Sequence, residues 1–324
     1  MSSFSASAPQ PPSTSMQPHC TLRHHSSPLA ALLPLPSSFP VPHPAPPLPS
    51  SHPFLLSACS SQLLLSDLQT RRVLSRLPLP AAPLGLSLTA APSPRILLHL
   101  RGGAVSLHSD VASLFDDAAP PSFVYDPGSL TFCAAKPHPS DPHLLLSPAA
   151  DPDSFCVLDA RRAEPLSLLR CPGDLPPGPE KRGMVTALAF LAEHHLLAGH
   201  ESSHVDLFDT RDLSKPLSSA LPLPPIQGEA FPPCLCLAAA GPGRAAAGFA
   251  APTERGPGAR TLAFLSVAGG ALAVAGLAGS GRGTSCVDFE EGGALLAGGW
   301  DGRAQVSCSP SESEISSSLP ILFR

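Results

Sequence analysis

Short apolar strands that end in aspartate recur along this chain, with the aspartates separated by 43, 49 and 50 residues. Leu63-Leu64-Leu65-Ser66-Asp67 runs into Leu68-Gln69-Thr70-Arg71-Arg72, and Val105-Ser106-Leu107-His108-Ser109-Asp110 repeats the ending. Phe155-Cys156-Val157-Leu158-Asp159 and Val205-Asp206-Leu207-Phe208-Asp209 follow, and Thr261 to Val267 and Ala304 to Cys308 continue the series without the terminal Asp. A second self-match supports the period: Thr186 to Asp209 aligns with Ser285 to Cys308 at a constant offset of 99, about two repeats. Each unit reads as a strand, a polar turn, a second strand through Leu-Leu-Ala-Gly, another turn, the Asp-ended strand and a fourth strand.

Composition removes the helical alternatives. Proline supplies 43 of 324 residues and is spread over most of the length, and each one lacks the N–H a helix needs and clashes with the preceding turn. Charged residues are 14% and apolar residues 43%, too apolar for a charged disordered polymer. Units of about 40–50 residues with four short strands mark the blades of a β-propeller, notably the WD-repeat type. The predicted fold is therefore an all-β propeller with about six degenerate blades visible, near 21–77, 84–118, 128–170, 184–220, 231–267 and 271–309, and a last blade missing or truncated. Residues 1–20 read as a Pro/Ser-rich disordered tail, 21–308 as the propeller and 309–324 as a Ser-rich tail. Leu158-Asp159 and Phe208-Asp209 stand where Trp-Asp is expected, whereas the Trp-Asp pair Trp300-Asp301 falls in a turn. Because a blade buries its faces only against its neighbours, an open end exposes apolar surface.

Several segments resemble one branch of the WD-repeat superfamily. Cys20-Thr21-Leu22-Arg23, Ser27-Pro28-Leu29, Phe54-Leu55-Leu56-Ser57 and Leu68-Gln69-Thr70-Arg71-Arg72 look like the first blade of the guanine-nucleotide-binding-protein beta-subunit-like family, which includes the ASTRA-associated WD-repeat proteins. Leu197-Ala198-Gly199-His200-Glu201 and Ala297-Gly298-Gly299-Trp300-Asp301-Gly302 resemble later segments of that family. The family continues past its Gly-Trp-Asp segment with another blade, a pattern that Ser309 to Arg324 lacks. The resemblance implies a non-catalytic scaffold for protein–protein interaction, an accessory of the ASTRA assembly and of the co-chaperone machinery that matures phosphatidylinositol-3-kinase-related kinases, linked to chromatin regulation. It implies large helical-repeat co-chaperone or kinase-complex subunits as partners and a location in nucleus and cytoplasm. A G-protein β-type signalling subunit is the alternative within the same resemblance, but it needs an N-terminal coiled coil that a Pro-studded first 50 residues cannot form.

Charge argues against direct nucleic-acid binding: the net charge is −5 and no basic run exceeds Arg71-Arg72 or Arg161-Arg162, far from a phosphate-neutralising stripe. Nine cysteines at irregular spacing suit reduced thiols. Residues 1–66 contain no Asp or Glu, as organelle transit peptides do, but Arg23 is their only basic residue where such peptides are Arg-rich. Leu262 to Gly281 is uncharged over twenty residues, the length of a membrane span. Five Gly and six Ala, with Gly269-Gly270 at the middle, read instead as two strands, Thr261 to Val267 and Ala271 to Leu277, joined by a tight turn, so no membrane partner is expected.

Candidate chemical sites are few. His200-Glu201-Ser202-Ser203-His204 matches the zinc-peptidase pattern H-E-x-x-H, whose chemistry needs a helix placing both imidazoles on one face. Gly199 before it and Val205-Asp206-Leu207-Phe208 after it read as a hairpin, so a zinc-dependent peptidase is the alternative function rather than the expected one. Cys234 and Cys236 fall on one face of a strand and read as buried thiols. Gly276 to Gly283 lacks the Lys of a phosphate loop. Asp67, Asp110, Asp159 and Asp209 sit in separate units and are assigned to strand-end turns, where a carboxylate satisfies turn N–H groups. No catalytic residue, metal or cofactor is expected.

Overall fold

The computed structural model describes residues 25–322 apart from 26, 37–38, 40, 42–52, 117, 129–131, 163–164, 171–181, 224–230, 242, 252–259, 279–282, 291–292, 302 and 308–320. The described residues form six four-stranded antiparallel sheets, each built from four consecutive strands. Blade one holds β1 (Leu29–Leu35), β2 (Phe54–Cys59), β3 (Gln62–Asp67) and β4 (Arg72–Pro78), and blade two holds β5 (Pro83–Leu88), β6 (Ile96–Leu100), β7 (Val105–His108), helix α1 (Val111–Phe115) and β8 (Phe123–Tyr125). Blade three follows with β9 (Lys136–Pro137), β10 (Leu144–Pro148), β11 (Ser154–Asp159) and β12 (Pro165–Arg170), and blade four with β13 (Val185–Phe190), β14 (His195–His200), β15 (Val205–Asp209) and β16 (Ser218–Ala220). Blade five comprises β17 (Cys234–Ala239), β18 (Arg244–Phe249), β19 (Leu262–Ala268) and β20 (Ala271–Ala278), and blade six β21 (Thr284–Phe289), β22 (Leu295–Gly299), β23 (Arg303–Ser307) and β24 (Ile321–Leu322).

The first strand of each blade packs on the first strand of the next: β1 on β5, β5 on β9, β9 on β13, β13 on β17 and β17 on β21. Sheet alternation then divides adjacent residues between two seams, because successive side chains point to opposite faces. Leu97 packs toward blade three with Leu145 and Leu158, while Leu98 packs toward blade one with Leu56 and Leu63. Leu196 joins Leu146, Phe155 and Phe208 between blades three and four, and its neighbour Leu197 joins Ala247 and Phe249 between blades four and five. The rings of Phe155 and Phe208 meet edge to face there, 5.5 Å apart. Ala246 and Phe264 meet Leu295 and Ala297 between blades five and six. Five seams thus have apolar cores. Middle strands buried on both faces read as nearly unbroken apolar runs, whereas β4 alternates exposed and half-buried residues.

Three boundaries differ from the sequence expectation. Blade two extends to Tyr125 rather than 118, since α1 intervenes before its fourth strand. Ala271–Ala278 pairs with β19 and closes blade five instead of opening blade six at 271. The two-residue turn Gly269-Gly270, both with positive φ (58° and 80°), joins neighbouring antiparallel strands of one sheet; returning from a blade's outer edge to the next inner strand takes a longer connection. Within the expected tail 309–324, Ile321–Leu322 pairs with β23 as the fourth strand of blade six. The expected tail 1–20 lies outside the described residues.

Candidate functional site

Asp67 ends β3, and its carboxylate accepts the Gln69 N–H at 2.8 Å, the Thr70 N–H at 3.1 Å and the Thr70 hydroxyl at 2.8 Å. Asp159 and Asp209 end β11 and β15 in the same way, accepting the N–H two residues on from Arg161 (3.0 Å) and Arg211 (2.9 Å). Each also takes a two-pronged contact from that arginine's guanidinium. The Arg161 hydrogen bond outweighs burial and holds Asp159 down to about 2, and Arg211 likewise holds Asp209 well below the usual carboxylate range. Asp110 differs from the other three. It lies two residues beyond β7 and caps α1, accepting the Ser113 N–H at 2.7 Å while the Ser113 hydroxyl meets its own N–H, a reciprocal capping box. The four carboxylates stand in four separate blades and do not converge.

His200 ends β14 and His204 precedes β15, so the H-E-x-x-H letters span a hairpin turn. The His200 N–H donates to the His204 carbonyl at 2.9 Å across that turn, and Ser203 adopts the left-handed conformation at its tip (φ 65°). The imidazoles serve different partners. His200 Nε2 lies 3.1 Å from Asp206 Oδ2, both side chains fully buried, whereas His204 Nδ1 lies 3.0 Å from the Ser202 hydroxyl and its ring leans toward Phe231. Among the described residues, no group of three or more His, Cys, Asp or Glu side chains is placed to hold a metal ion.

The centre that sequence reading missed is built around Asp206. Its carboxylate accepts the Ser219 hydroxyl at 2.5 Å, lies 3.4 Å from Arg182 Nε and faces His200. Arg182 Nη2 also donates to Ser219 at 3.1 Å. Burial opposes ionisation of Asp206, but the His200 hydrogen bond and charge, with Ser219 and Arg182, outweigh it and hold its pKa below the ordinary carboxylate value. The register sets this grouping, since β15 places Asp206 opposite Ser219 of β16. A charged residue between Val205 and Leu207 inside an apolar strand is the signal that could have found it, because a charge there must be paired.

The cysteines do not form a pair site either. A bulge separates Cys234 from Cys236, so Cys234 packs beside Gly199 of blade four while Cys236 Sγ lies against Gly248 of its own blade. Burial pushes Cys133 and Cys236 up to about 12 and Cys156 up to about 11. The Gly276–Gly283 stretch lies partly outside the described residues, at 279–282.

Two exposed aromatic side chains, Trp300 and Phe132, lie outside the strands. Trp300, the chain's one tryptophan, is 59% exposed in the β22–β23 turn, its backbone N–H donating to the Gly283 carbonyl at 3.1 Å. Phe132 is 63% exposed beneath the Arg101 guanidinium, 5.0 Å from the ring centre. An open cleft of about 510 Å³, lined by Asp151, Pro152, Asp153, Gly183 and Met184, lies between blades three and four. Its walls are joined by the Val185 N–H to the Pro152 carbonyl at 2.8 Å. Among the described residues no helix is long and apolar enough to cross a membrane.

No family model and no curated protein matches the chain. Solved structures of WD40 proteins match its architecture. The structure of U3-55K has 14% sequence identity and a TM-score of 0.59, over 76% of this chain and 69% of that one. The RRP9 WD40 repeats give 14% and 0.60 over the same shares, and a chain of the mitotic checkpoint complex 13% and 0.56 over 79% of this chain and 71% of that one. Identity this low carries the fold alone, and that fold is a WD-repeat β-propeller.

Proposed function

We propose that this protein is a non-catalytic scaffold that binds other proteins through the turn tips of its blades. The observation that carries the reading is Trp300, an aromatic side chain more than half exposed at a turn tip. Tryptophan, with arginine, dominates the energetics of protein interfaces, and the Arg101–Phe132 pair offers a second group of that kind. The polar residues inside the blades are meanwhile taken up by the fold: Asp67, Asp159 and Asp209 by their turns, and His200 by Asp206.

The resemblance of Leu68-Gln69-Thr70-Arg71-Arg72 and Gly299-Trp300-Asp301 to the G-protein-beta-like, ASTRA-associated branch extends the proposal. The partners are then large helical-repeat subunits of the kinase-maturation co-chaperone machinery, met in the nucleus and cytoplasm, with a link to chromatin regulation. Quantitative affinity purification from cells, comparing wild type with Trp300→Ala and Phe132→Ala, tests both levels. Recovery of those subunits, lost in the variants at unchanged melting temperature, is expected. Recovery of other specific partners removes the family assignment, and recovery of none removes the scaffold.

A further inference from the structure

Six blades need six seams to close a ring, and five have apolar cores; among the described residues, no packing of that extent joins β21 of blade six to β1 of blade one. Most parts of the filled seams recur on the two sides of this one, with exposed Asp288 standing where blade four has buried Ala189. First strands open with a bulge between their first and third residues, at Leu29/Ala31, Pro83/Gly85, Val185/Ala187, Cys234/Cys236 and Thr284/Cys286. The first of these residues is the one pushed into the preceding blade. Pro83, Val185, Cys234 and Thr284 are all buried. Leu29, in the same position, is 51% exposed, and Leu32 on the same face of β1 is 54% exposed. Exposure on this side belongs to β1, since Leu64 of β3 is buried.

The receiving side is a bare glycine. At Gly199 a Cβ would come within 2.5 Å of Cys234 Sγ of the next blade, and at Gly248 within 2.8 Å of Thr284 Cγ2 of the next blade. Gly298 holds the same register position, opposite Cys286 across the bulge as Gly248 is opposite Cys236. Among the described residues, its Cβ position meets Cys286 of its own blade and nothing of a following one. The offset of 99 makes the comparison residue by residue. Thr186 Oγ1 donates to the Gly199 carbonyl and also to the Cys234 carbonyl of blade five; Ser285 donates to the Gly298 carbonyl at 3.1 Å. Leu197 is fully buried by blade five, and Leu296 is 45% exposed.

We propose that the β1 face of one copy docks into the Gly298 socket of a second copy, so that the protein self-associates head to tail through a repeat of its own inter-blade seam. The occupant follows from continuity: the socket is shaped for a first strand of this repeat, and among the described residues β1 is the first strand left outside a seam of that extent. Such a contact is heterologous, joining two different surfaces. Leu29 then takes the place of Cys234 or Thr284, and Leu296 that of Leu197.

Sedimentation velocity on the full chain across a concentration series tests this, with Leu32→Asp and Leu296→Asp as variants whose folding is checked by circular dichroism. Wild type is expected to shift to larger species with concentration, and each variant alone to weaken association at least about thirtyfold. An equimolar mixture of the two is expected to form a 1:1 dimer and nothing larger, since one copy keeps the socket and the other keeps the strand. A second measurement needs no charged substitution: in Leu29→Cys combined with Cys59→Ser, which removes the thiol directly across from Leu29 on β2, the new thiol lies next to native Cys286 when docked as Thr284 is beside Gly248, and oxidation with diamide links two chains. A wild type that stays monomeric at every concentration overturns the proposal. So does a variant chain whose new thiol links to its own Cys286, which means that the ring closes on its own.

Discussion

Gly199→Ala probes the seam between blades four and five at its tightest point. The added Cβ lies 2.5 Å from Cys234 Sγ, 3.0 Å from Cys234 Cβ and 3.3 Å from Leu237 Cδ1. Non-bonded heavy atoms rest about 3.5–4.0 Å apart, so the two blades must separate by about 1 Å or Cys234 must leave its position. Both neighbours are buried, where close packing leaves few voids to absorb a shift. Overpacking of this kind costs about 1–3 kcal/mol. Cys234→Ala removes the sulfur, and because the two residues touch, the double variant is expected to lose at least about 1 kcal/mol less than the two single losses combined. Gly298→Ala is the control. Its Cβ also meets a sulfur at 2.5 Å, but that sulfur belongs to Cys286, an exposed side chain on the unfilled seam that can turn away. Its cost is expected within about 0.5 kcal/mol. Urea unfolding followed by circular dichroism, at a concentration where wild type is monomeric and with unchanged slope m, reads the differences as midpoint shifts. A Gly199→Ala variant as stable as wild type, strict additivity with Cys234→Ala, or an equal loss from Gly298→Ala would refute the seam as described.

Asp206→Ala strips the partner from buried His200 and Arg182 and is expected to cost about 3–5 kcal/mol, whereas Asp209→Ala, on an ion pair whose arginine is largely exposed, is expected to cost about 1 kcal/mol. Equal melting-temperature losses would show that the Asp206 centre contributes no more than a surface turn. His99 links blades two and three by accepting the Ala135 N–H through Nδ1 at 3.1 Å, and burial pushes its pKa down to about 4 from the ordinary 6.5. The unfolded imidazole therefore takes up a proton that the native one refuses. Stability from this group is whole above pH 6.5 and falls as pH drops toward 4, by at most about 1.4 kcal/mol per pH unit. Unfolding midpoints measured across that window should flatten in His99→Gln, and an unchanged slope would remove His99 from the acid response.

What the chain discloses before folding, and what it withholds, follows the range of the interactions. The repeat is legible because three blades end their third strand in a turn carboxylate, and Asp67, Asp159 and Asp209 find their partners within two or three residues of themselves. Asp110 looks identical in sequence yet caps α1, because Ser113 three residues on completes a capping box, a signal as local as the turn and easily taken for it. The hairpin at Gly269-Gly270 is legible for the same reason, but its assignment to blade five is not, since the period counts strands without saying which turn is long enough to cross between sheets. The two residues of β24 are too short to carry any period. The letters of H-E-x-x-H mislead because they specify spacing without backbone period: in a helix the two histidines share a face, and here a turn sends His200 to Asp206 and His204 to Ser202. Asp206 finds Ser219 only through the register of β15 on β16, a pairing that no window of sequence contains. Leu197 and Leu296 make the limit plainest. They occupy the same place in the same repeat with the same neighbours, and one is buried while the other is exposed, because burial at that position is decided by whether another first strand arrives.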